Sequence, residues 1–365
     1  MRRIPFVDLK AQFAEEREAL MPVIEATLAG GAWVGGEAVE QLEARLAERC
    51  GRAHAVALNS GTDALILSLR ALGIGPGDEV ITAPNSFIAS AGAIIAVGAV
   101  PVFADVRADQ NIDPDAVAAA ITPRTRAIMP VHLTGRVADM DPLMAIAAHH
   151  GLAVVEDAAQ SFGATYRGRP AGGFGHVGCF SAHPLKNLNA AGDAGFAVTD
   201  DAALAERLRR LRSHGLADRN NATEWGLVSR MDSLQAAILS FRLGRLDAVI
   251  ARRRANAALY RHSLGHLNAP CRNHEFNTFH LFVIQVGRRD ALRDFLAKRG
   301  ITTAIHYPVP IHLQPAAAGL GYGQGAFPEC ERQASRILSL PIHQFLRPED
   351  ITAVCEAVTD YRGRD

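Results

Sequence analysis

From Ala53 onward, short apolar runs recur at near-constant spacing, and no other feature restricts the possible folds as much. The runs AHAVAL, EVITAP, VPVFAD, RAIMPVHL and LAVVED begin at Ala53, Glu79, Val100, Arg126 and Leu152, at intervals of 26, 21, 26 and 26 residues. One strand plus one crossover helix consumes about that length. Between the runs lie TDALILSLRALG, SFIASAGAIIAV, DPDAVAAAI and DMDPLMAIAAHHG, each introduced by Thr, Ser or Asp, the residues that cap helix N-termini. The alternation predicts an α/β chain whose doubly wound, mostly parallel central sheet is flanked by helices.

After Asp157 the pattern changes to the glycine-rich YRGRPAGGFGHVG and the strand-like GCFSAH and AGFAVTD. Two helical stretches follow, and SLQAAILSFRLGRLDAVIARRRANAALYRHSL is long enough to link a large domain to a smaller one. A second α/β unit begins near Asn273 with TFHLFVIQV. The expected division is a large domain over 1–245, with the N-terminal segment, and a small domain over 246–365 that includes the connecting helix.

Several function classes drop out on charge and patterning. The 38 basic and 38 acidic side chains balance, which gives no reason to expect a nucleic-acid partner. The longest uncharged stretch, Ile88 to Ala104, is broken by Ser90 and Pro101 and falls short of the roughly 20 residues of a membrane helix. Cys50, Cys179, Cys271, Cys330 and Cys355 are scattered without a C-x-x-C pair, and the N-terminal stretch is charged where an export signal is apolar. Reduced thiols and a cytoplasmic location are expected. His274-Glu275 begins like a zinc helix, but Thr278 stands where the second histidine belongs, so no metal site is predicted. Gly173-Phe-Gly175-His-Val-Gly178 matches a dinucleotide fingerprint by letter only, since a loop precedes it and CFSAHP follows. The arginine groups Arg207–Arg212 and Arg252–Arg254 read as solvated or interface faces of helices.

Three positive signals remain. Asn59-Ser60-Gly61-Thr62-Asp63 joins a strand to a helix, where free N–H groups and the helix dipole suit a phosphate. Asp157 ends the run LAVVED at the C-terminal edge of a parallel strand, where such sheets bind ligands. Taken alone, the first is also an ordinary N-cap and the second an ordinary loop acid. The third is Lys186. The chain contains three lysines, Lys10, Lys186 and Lys298, and only Lys186 lies in an apolar, Gly- and Asn-flanked segment between strands. A lysine here, in a chain that otherwise uses arginine, suggests an amine that must lose its charge to act as nucleophile or Schiff-base former. Phosphate cup, carboxylate and lysine together specify pyridoxal phosphate, with Asp157 keeping the pyridinium nitrogen protonated. Phe87, after EVITAP, is placed to stack on the ring or simply to pack.

These residues, with IPFVDLKAQ, VEDAAQSFGA, SAHPLKNLNAAGDAG, SRMDSLQAAIL and HYPVPIHLQPA, resemble the pyridoxal-phosphate sugar aminotransferases of the DegT/StrS type across nearly the whole chain. The resemblance implies fold type I of the pyridoxal-phosphate-dependent transferases, as in aspartate aminotransferase, and a homodimer. It implies an internal aldimine at Lys186, Asp157 on the ring nitrogen and Gln160 on the ring-hydroxyl side. Ser181 would join Gly61, Thr62 and Asp63 around the phosphate, and Phe87 would stack on the ring. His306, Tyr307 and His312 would lie near a nucleotide-sugar substrate. The implied reaction is a ping-pong transfer of an amino group from L-glutamate to a nucleotide-linked keto-deoxysugar, with pyridoxamine phosphate as the intermediate form. Two positions depart from the family pattern: Val228 stands where an asparagine often reaches the partner's phosphate, and Thr134 replaces the tyrosine of H-L-Y-G. The rival readings are a pyridoxamine-dependent sugar dehydratase, which carries histidine at the lysine position, and a cofactor-binding regulator without turnover.

Overall fold

The computed structural model describes residues 3–361. The five apolar runs become strands β1 (His54–Leu58), β2 (Glu79–Thr82), β3 (Val100–Phe103), β4 (Thr125–Met129) and β5 (Ala153–Asp157). Short strands β6 (Thr165–Tyr166) and β7 (Arg169–Pro170) form a side hairpin, and β8 (Val177–Ser181) and β9 (Gly195–Thr199) return to the main sheet. That sheet has the order β1-β9-β8-β5-β4-β2-β3. Only β9 runs antiparallel, against both β1 and β8. The runs are buried on nearly every residue, as a sheet covered on both faces requires.

Helices α1 (Leu9–Ala29) and α2 (Glu37–Cys50) precede the sheet, and α3 (Gly61–Ala71), α4 (Ala89–Ala96), α5 (Pro114–Ala119) and α6 (Met140–His150) fill the predicted crossovers. Of the four expected caps only Asp113 is realised, and α3 is capped by Ser60, two residues before the expected Thr62. Ser60 and Asp113 accept hydrogen bonds from amides of α3 and α5, whereas Asp139 before α6 is drawn away by Tyr166, Arg107 and Arg272, and α4 starts at Ile88 without a side-chain cap. Helix α7 (Ala202–Leu211) and the ribbon β10 (Leu216–Asp218) and β11 (Asn221–Ala222) follow.

The predicted long connecting helix is two helices, α8 (Ser233–Leu243) and α9 (Leu246–Leu264), separated at Gly244–Arg245. Both breaking residues keep right-handed dihedrals, so the chain bends within a turn and α8 packs on α1 and α2 while α9 packs on the C-terminal helix. Beyond it, β12 (Glu275–Phe276) joins β6, and β13 (Phe282–Gln285) pairs antiparallel with β14 (Ile337–Leu340). Helices α10 (Arg289–Lys298), α11 (Pro328–Ala334) and α12 (Pro348–Asp360) complete this part. Its core of Tyr260, Phe282, Leu292, Leu338 and Val354 also takes in Ile4, which bridges to Ile301. The N-terminal segment therefore crosses to the second core. All five cysteines are free. Among the described residues no helix is long and apolar enough to cross a membrane.

The glycine loop has a structural job. Glu156, fully buried, accepts hydrogen bonds from the amides of Gly172 (2.8 Å), Phe174 (2.7 Å) and Gly175 (2.7 Å). His132 Nδ1 accepts from the Ala138 amide, so the ring proton sits on Nε2 and is donated to Glu156 Oε2 at 2.9 Å. Burial alone would raise this carboxyl, but His132 and the amides hold it below its ordinary range.

Candidate active site

The C-terminal ends of β1, β2, β4, β5 and β8 open into one cleft of about 480 Å³, bounded on its far side by the second core. From the sheet come Ser60, Gly61, Thr62, Phe87, Val131, Asp157 and Ser181; from the second core and the N-terminal segment come His280, His306, Tyr307, His343 and Phe6. Strand order decides this convergence, because segments far apart in sequence share one sheet edge.

One wall is built for an anion. Ser60 Oγ accepts the Asp63 amide at 3.0 Å and its carbonyl accepts the Ala64 amide, which leaves the amides of Gly61 and Thr62 without an acceptor among the described residues. Close packing holds this turn in place. A β-carbon on Gly61 would lie 2.6 Å from Cβ of Ser181, and one on Gly195 would lie 2.3 Å from the Ser60 carbonyl carbon. Free amides, a helix N-terminus and the Ser181 hydroxyl therefore meet where no side chain intrudes.

Asp157 stands at the cleft floor and is 5% exposed. Its Oδ1 accepts from the Ala159 amide (3.2 Å), and its Oδ2 accepts from Ser90 Oγ (2.6 Å). Ser90 Oγ lies 2.8 Å from Ser86 Oγ, which donates to it, and both serines are buried. The carboxylate is thereby fixed from behind. Gln160 is fixed as well: its Oε1 accepts from the Thr134 amide (2.8 Å), so its NH2 turns toward Tyr307 Oη at 3.4 Å. Thr134 delivers that amide from a left-handed backbone (φ 64°), a conformation costly for a β-branched residue. Phe87, 55% exposed, faces the Tyr307 ring at 5.7 Å.

Lys186 sits on the opposite wall. Part of its side chain meets the open cleft, yet protein crowds the amine closely enough that desolvation brings its pKa from 10.5 to about 8, against the opposing pull of the Asp157 charge. Its Nζ has no hydrogen-bond or ion-pair partner among the described residues. Around it, burial and the Lys186 charge hold His306 near 4, and burial with the charges of Lys186, Arg253 and His306 keeps His280 well below its usual value. His306 Nδ1 bonds Ser339 Oγ at 2.9 Å. Burial and the Asp157 charge push Tyr307 up to about 12. At neutral pH these rings are uncharged.

Comparison with known proteins agrees with this geometry. The DegT/DnrJ/EryC1/StrS aminotransferase family model matches residues 14–359. The chain belongs to that family. It is 46% identical over 367 residues to a dTDP-3-amino-3,4,6-trideoxy-alpha-D-glucose transaminase of Streptomyces venezuelae, covering 99% of this chain and 97% of that protein. Among solved structures it matches S. venezuelae DesV in complex with a ketimine intermediate, with a TM-score of 0.97, 46% identity and full coverage of both chains. It also matches NtdA of Bacillus subtilis with bound cofactor PMP, with a TM-score of 0.92, 31% identity, and coverage of 98% of this chain and 85% of that one. The fold is that of these aminotransferases.

Within the aminotransferase, the cleft gathers Gly61, Thr62, Phe87, Asp157, Gln160, Ser181, Lys186, His306 and Tyr307. Two expected site residues lie apart. His312 is buried away from the cleft, bonded to Glu331 at 3.0 Å and packed edge-on against Phe327 at 4.7 Å. Asp63 gives its amide to the Ser60 cap and does not line the cleft. Val228 is 54% exposed beside the exposed Arg230, while Ser229 between them turns inward to Asn59. Neither outward side chain reaches the cleft.

The arginine groups also differ from expectation. Arg207, Arg209, Arg210 and Arg212 are half-buried and tied to Glu43, Glu206 or Glu224 rather than solvated. Arg253 is buried and lines the cleft. Sequence reasoning also missed Ser90, which it treated as an interruption, and His280. The trace of His280 was a polar residue inside the apolar run TFHLFVIQV.

Proposed function

We propose that the chain is a pyridoxal-phosphate-dependent transaminase that moves an amino group from L-glutamate to a nucleotide-linked keto-deoxysugar by a ping-pong route. One observation carries the reading. Lys186, with its lowered pKa, the buried Asp157 and the open N-terminus of α3 line a single cleft. The residues fit the cofactor: free amides at Gly61 and Thr62 with the Ser181 hydroxyl suit its phosphate, and Asp157 suits a protonated ring nitrogen. Pyridoxal phosphate, when bound, supplies an electron-accepting ring through which an amino group leaves one carbon skeleton and is passed to another.

The chain supplies the rest. Lys186 would hold the cofactor through Nζ, and its amine, with a pKa near 8, would serve as the base for the proton at the donor's Cα. Asp157, backed by Ser90 and Ser86, would keep the ring nitrogen charged. Gln160, held by the Thr134 amide, would contact the ring-hydroxyl side, and Phe87 at the cleft wall would stack on the ring. His306 and Tyr307, uncharged, offer hydrogen bonds to the sugar.

The reading includes a homodimer in the cytoplasm, with a large domain over 1–245 and a small one over 246–365. Five free thiols suit a reducing compartment, and exposed Trp33, Trp225, Leu227 and Val228 suit a surface covered by a second copy. Visible absorption of the cofactor-loaded protein tests the central claim. L-glutamate alone should convert the lysine-bound band to the pyridoxamine band, and Lys186→Ala should show neither the lysine-bound band nor turnover. A wild-type spectrum indifferent to glutamate would sink the donor assignment, and full turnover by the alanine variant would sink the lysine's role.

A further inference from the structure

Because Lys186 Nζ has no hydrogen-bond or ion-pair partner among the described residues, the direction of the amine is set by the loop that carries it from β8 to β9. The neck of that loop is closed by the amides of Ala182 and Ala190, which donate to the carbonyls of Ala194 and Ala182, both at 2.8 Å. At its apex the Lys186 amide donates to the His183 carbonyl at 2.8 Å. One side chain joins the two limbs. Asn189, 5% exposed, donates through Nδ2 to the carbonyl of Pro184 at 2.7 Å, and so ties the chain after Lys186 to the chain before it.

Asn189 is itself held from outside the loop. Its Nδ2 donates to Gln12 Oε1 at 3.0 Å and its Oδ1 accepts from Gln12 Nε2 at 2.9 Å, a reciprocal amide pair that reaches across from the first turn of α1. Pro184 and Gln12 together take both protons of the Asn189 amide, which fixes its orientation. Docking of α1 does not depend on this pair. One turn further on, Glu16 forms an ion pair with Arg242 of α8, with Arg242 Nε 3.1 Å from Oε1, and Leu20 is buried. Arg242 Nη1 holds the carbonyls of Asn189 (2.8 Å) and Ala190 (3.1 Å) but makes no bond to the limb before Lys186. The crevice left behind the lysine, lined by Gln12, Glu16, Lys186, Asn189, Arg242 and Arg253, measures about 40 Å³, room for a few waters at most.

We propose that Gln12 is a positioning residue for Lys186: paired with Asn189, it latches the turn so that Nζ is presented to the cleft, and α1 thereby takes part in loading the cofactor. The inference rests on the pyridoxal-phosphate reading given above. Gln12 does not line the cleft, so its effect passes through Asn189 and Pro184.

Two ligands separate positioning from binding. Pyridoxal phosphate must meet the Lys186 amine, whereas pyridoxamine phosphate brings its own amine and has no bond to form with the lysine. Q12M keeps the length of the side chain without its amide. Mixed with pyridoxal phosphate, Q12M apoprotein should form the lysine-bound absorption band about 10–100-fold more slowly than wild type, as expected when a reacting group is displaced by about 1 Å. Its affinity for pyridoxamine phosphate, read by fluorescence titration, should be unchanged. N189A should be slowed alike, and Q12M/N189A no more than N189A alone, because both act through one contact. Q12E keeps an acceptor for Asn189 Nδ2 and should recover part of the rate; it carries the comparison if N189A fails to fold. A Q12M rate equal to wild type overturns the proposal, as do losses that multiply in the double variant, or an equal loss of affinity for both ligands, which would reduce Gln12 to general support of the fold. Wild-type protein that forms no lysine-bound band overturns the pyridoxal-phosphate reading and the latch with it, whereas a normal wild-type band with an unslowed Q12M overturns the latch alone.

Discussion

Replacing Lys186 by methionine should make the cofactor-free protein more stable at neutral pH. The native amine has a pKa near 8, whereas in the unfolded chain it returns to about 10.5. Between these values the unfolded state binds more protons than the native state, so stability rises with pH through that window. Below pH 8 the full penalty of holding a charged, desolvated amine applies; above about 10.5 it has gone. A fall of this size corresponds to about 3 kcal/mol, at ~1.36 kcal/mol per pH unit. Because part of the side chain meets solvent, about 2 kcal/mol is the better expectation. Methionine fills similar space and carries no charge. Its melting midpoint should exceed wild type by about 2–4 °C at pH 7, and the gap should close by pH 10.5. Calorimetry of both apoproteins across that range is the assay; groups not coupled to Lys186 cancel in the comparison, and His280 and His306, which its charge lowers, are already neutral over that range. A variant no more stable than wild type at pH 7, or a gain that persists unchanged at pH 10.5, refutes the claim that desolvation lowers this amine.

Two further outcomes follow from the packing. Glu156→Ala strands the amides of Gly172, Phe174 and Gly175 and the His132 ring proton, and should cost about 3–5 kcal/mol, seen as a lower melting midpoint. Gly195→Ala drives a methyl into the Ser60–Gly61 turn, and should weaken pyridoxal phosphate at least about tenfold in a fluorescence titration while circular dichroism stays native.

Some residues that line the candidate site were legible because their chemistry is rare in context. Lys186 stood out among three lysines, Gly61 and Thr62 sat at a strand-to-helix junction, and Asp157 closed an apolar run. The family motifs added Gln160 and Ser181. Others left no usable trace. Arg253 is the middle residue of an arginine triplet whose neighbours pair outward with Glu15 and the Asn277 carbonyl, and one sequence does not say which of three adjacent side chains faces inward. His312 was misplaced because nearness in sequence to His306 is not nearness in space: the 3-10 turn at Ile311–Leu313 directs it to Glu331.

Local physics lies in the order of residues, and the sequence alone determined what depends on it. The periodicity of apolar runs set the strands and crossovers, and cap residues such as Asp8, Ser60, Asp113 and Asp201 set some helix starts, because such choices involve neighbours a few positions apart. Tertiary structure alone decided what depends on distance closing in space. Strand order brought Ser60, Phe87, Asp157 and Ser181 to one edge; the second core then lowered His280 and His306 and enclosed Arg253. Desolvation arises from the whole surrounding shell of atoms, and no segment of chain carries it by itself.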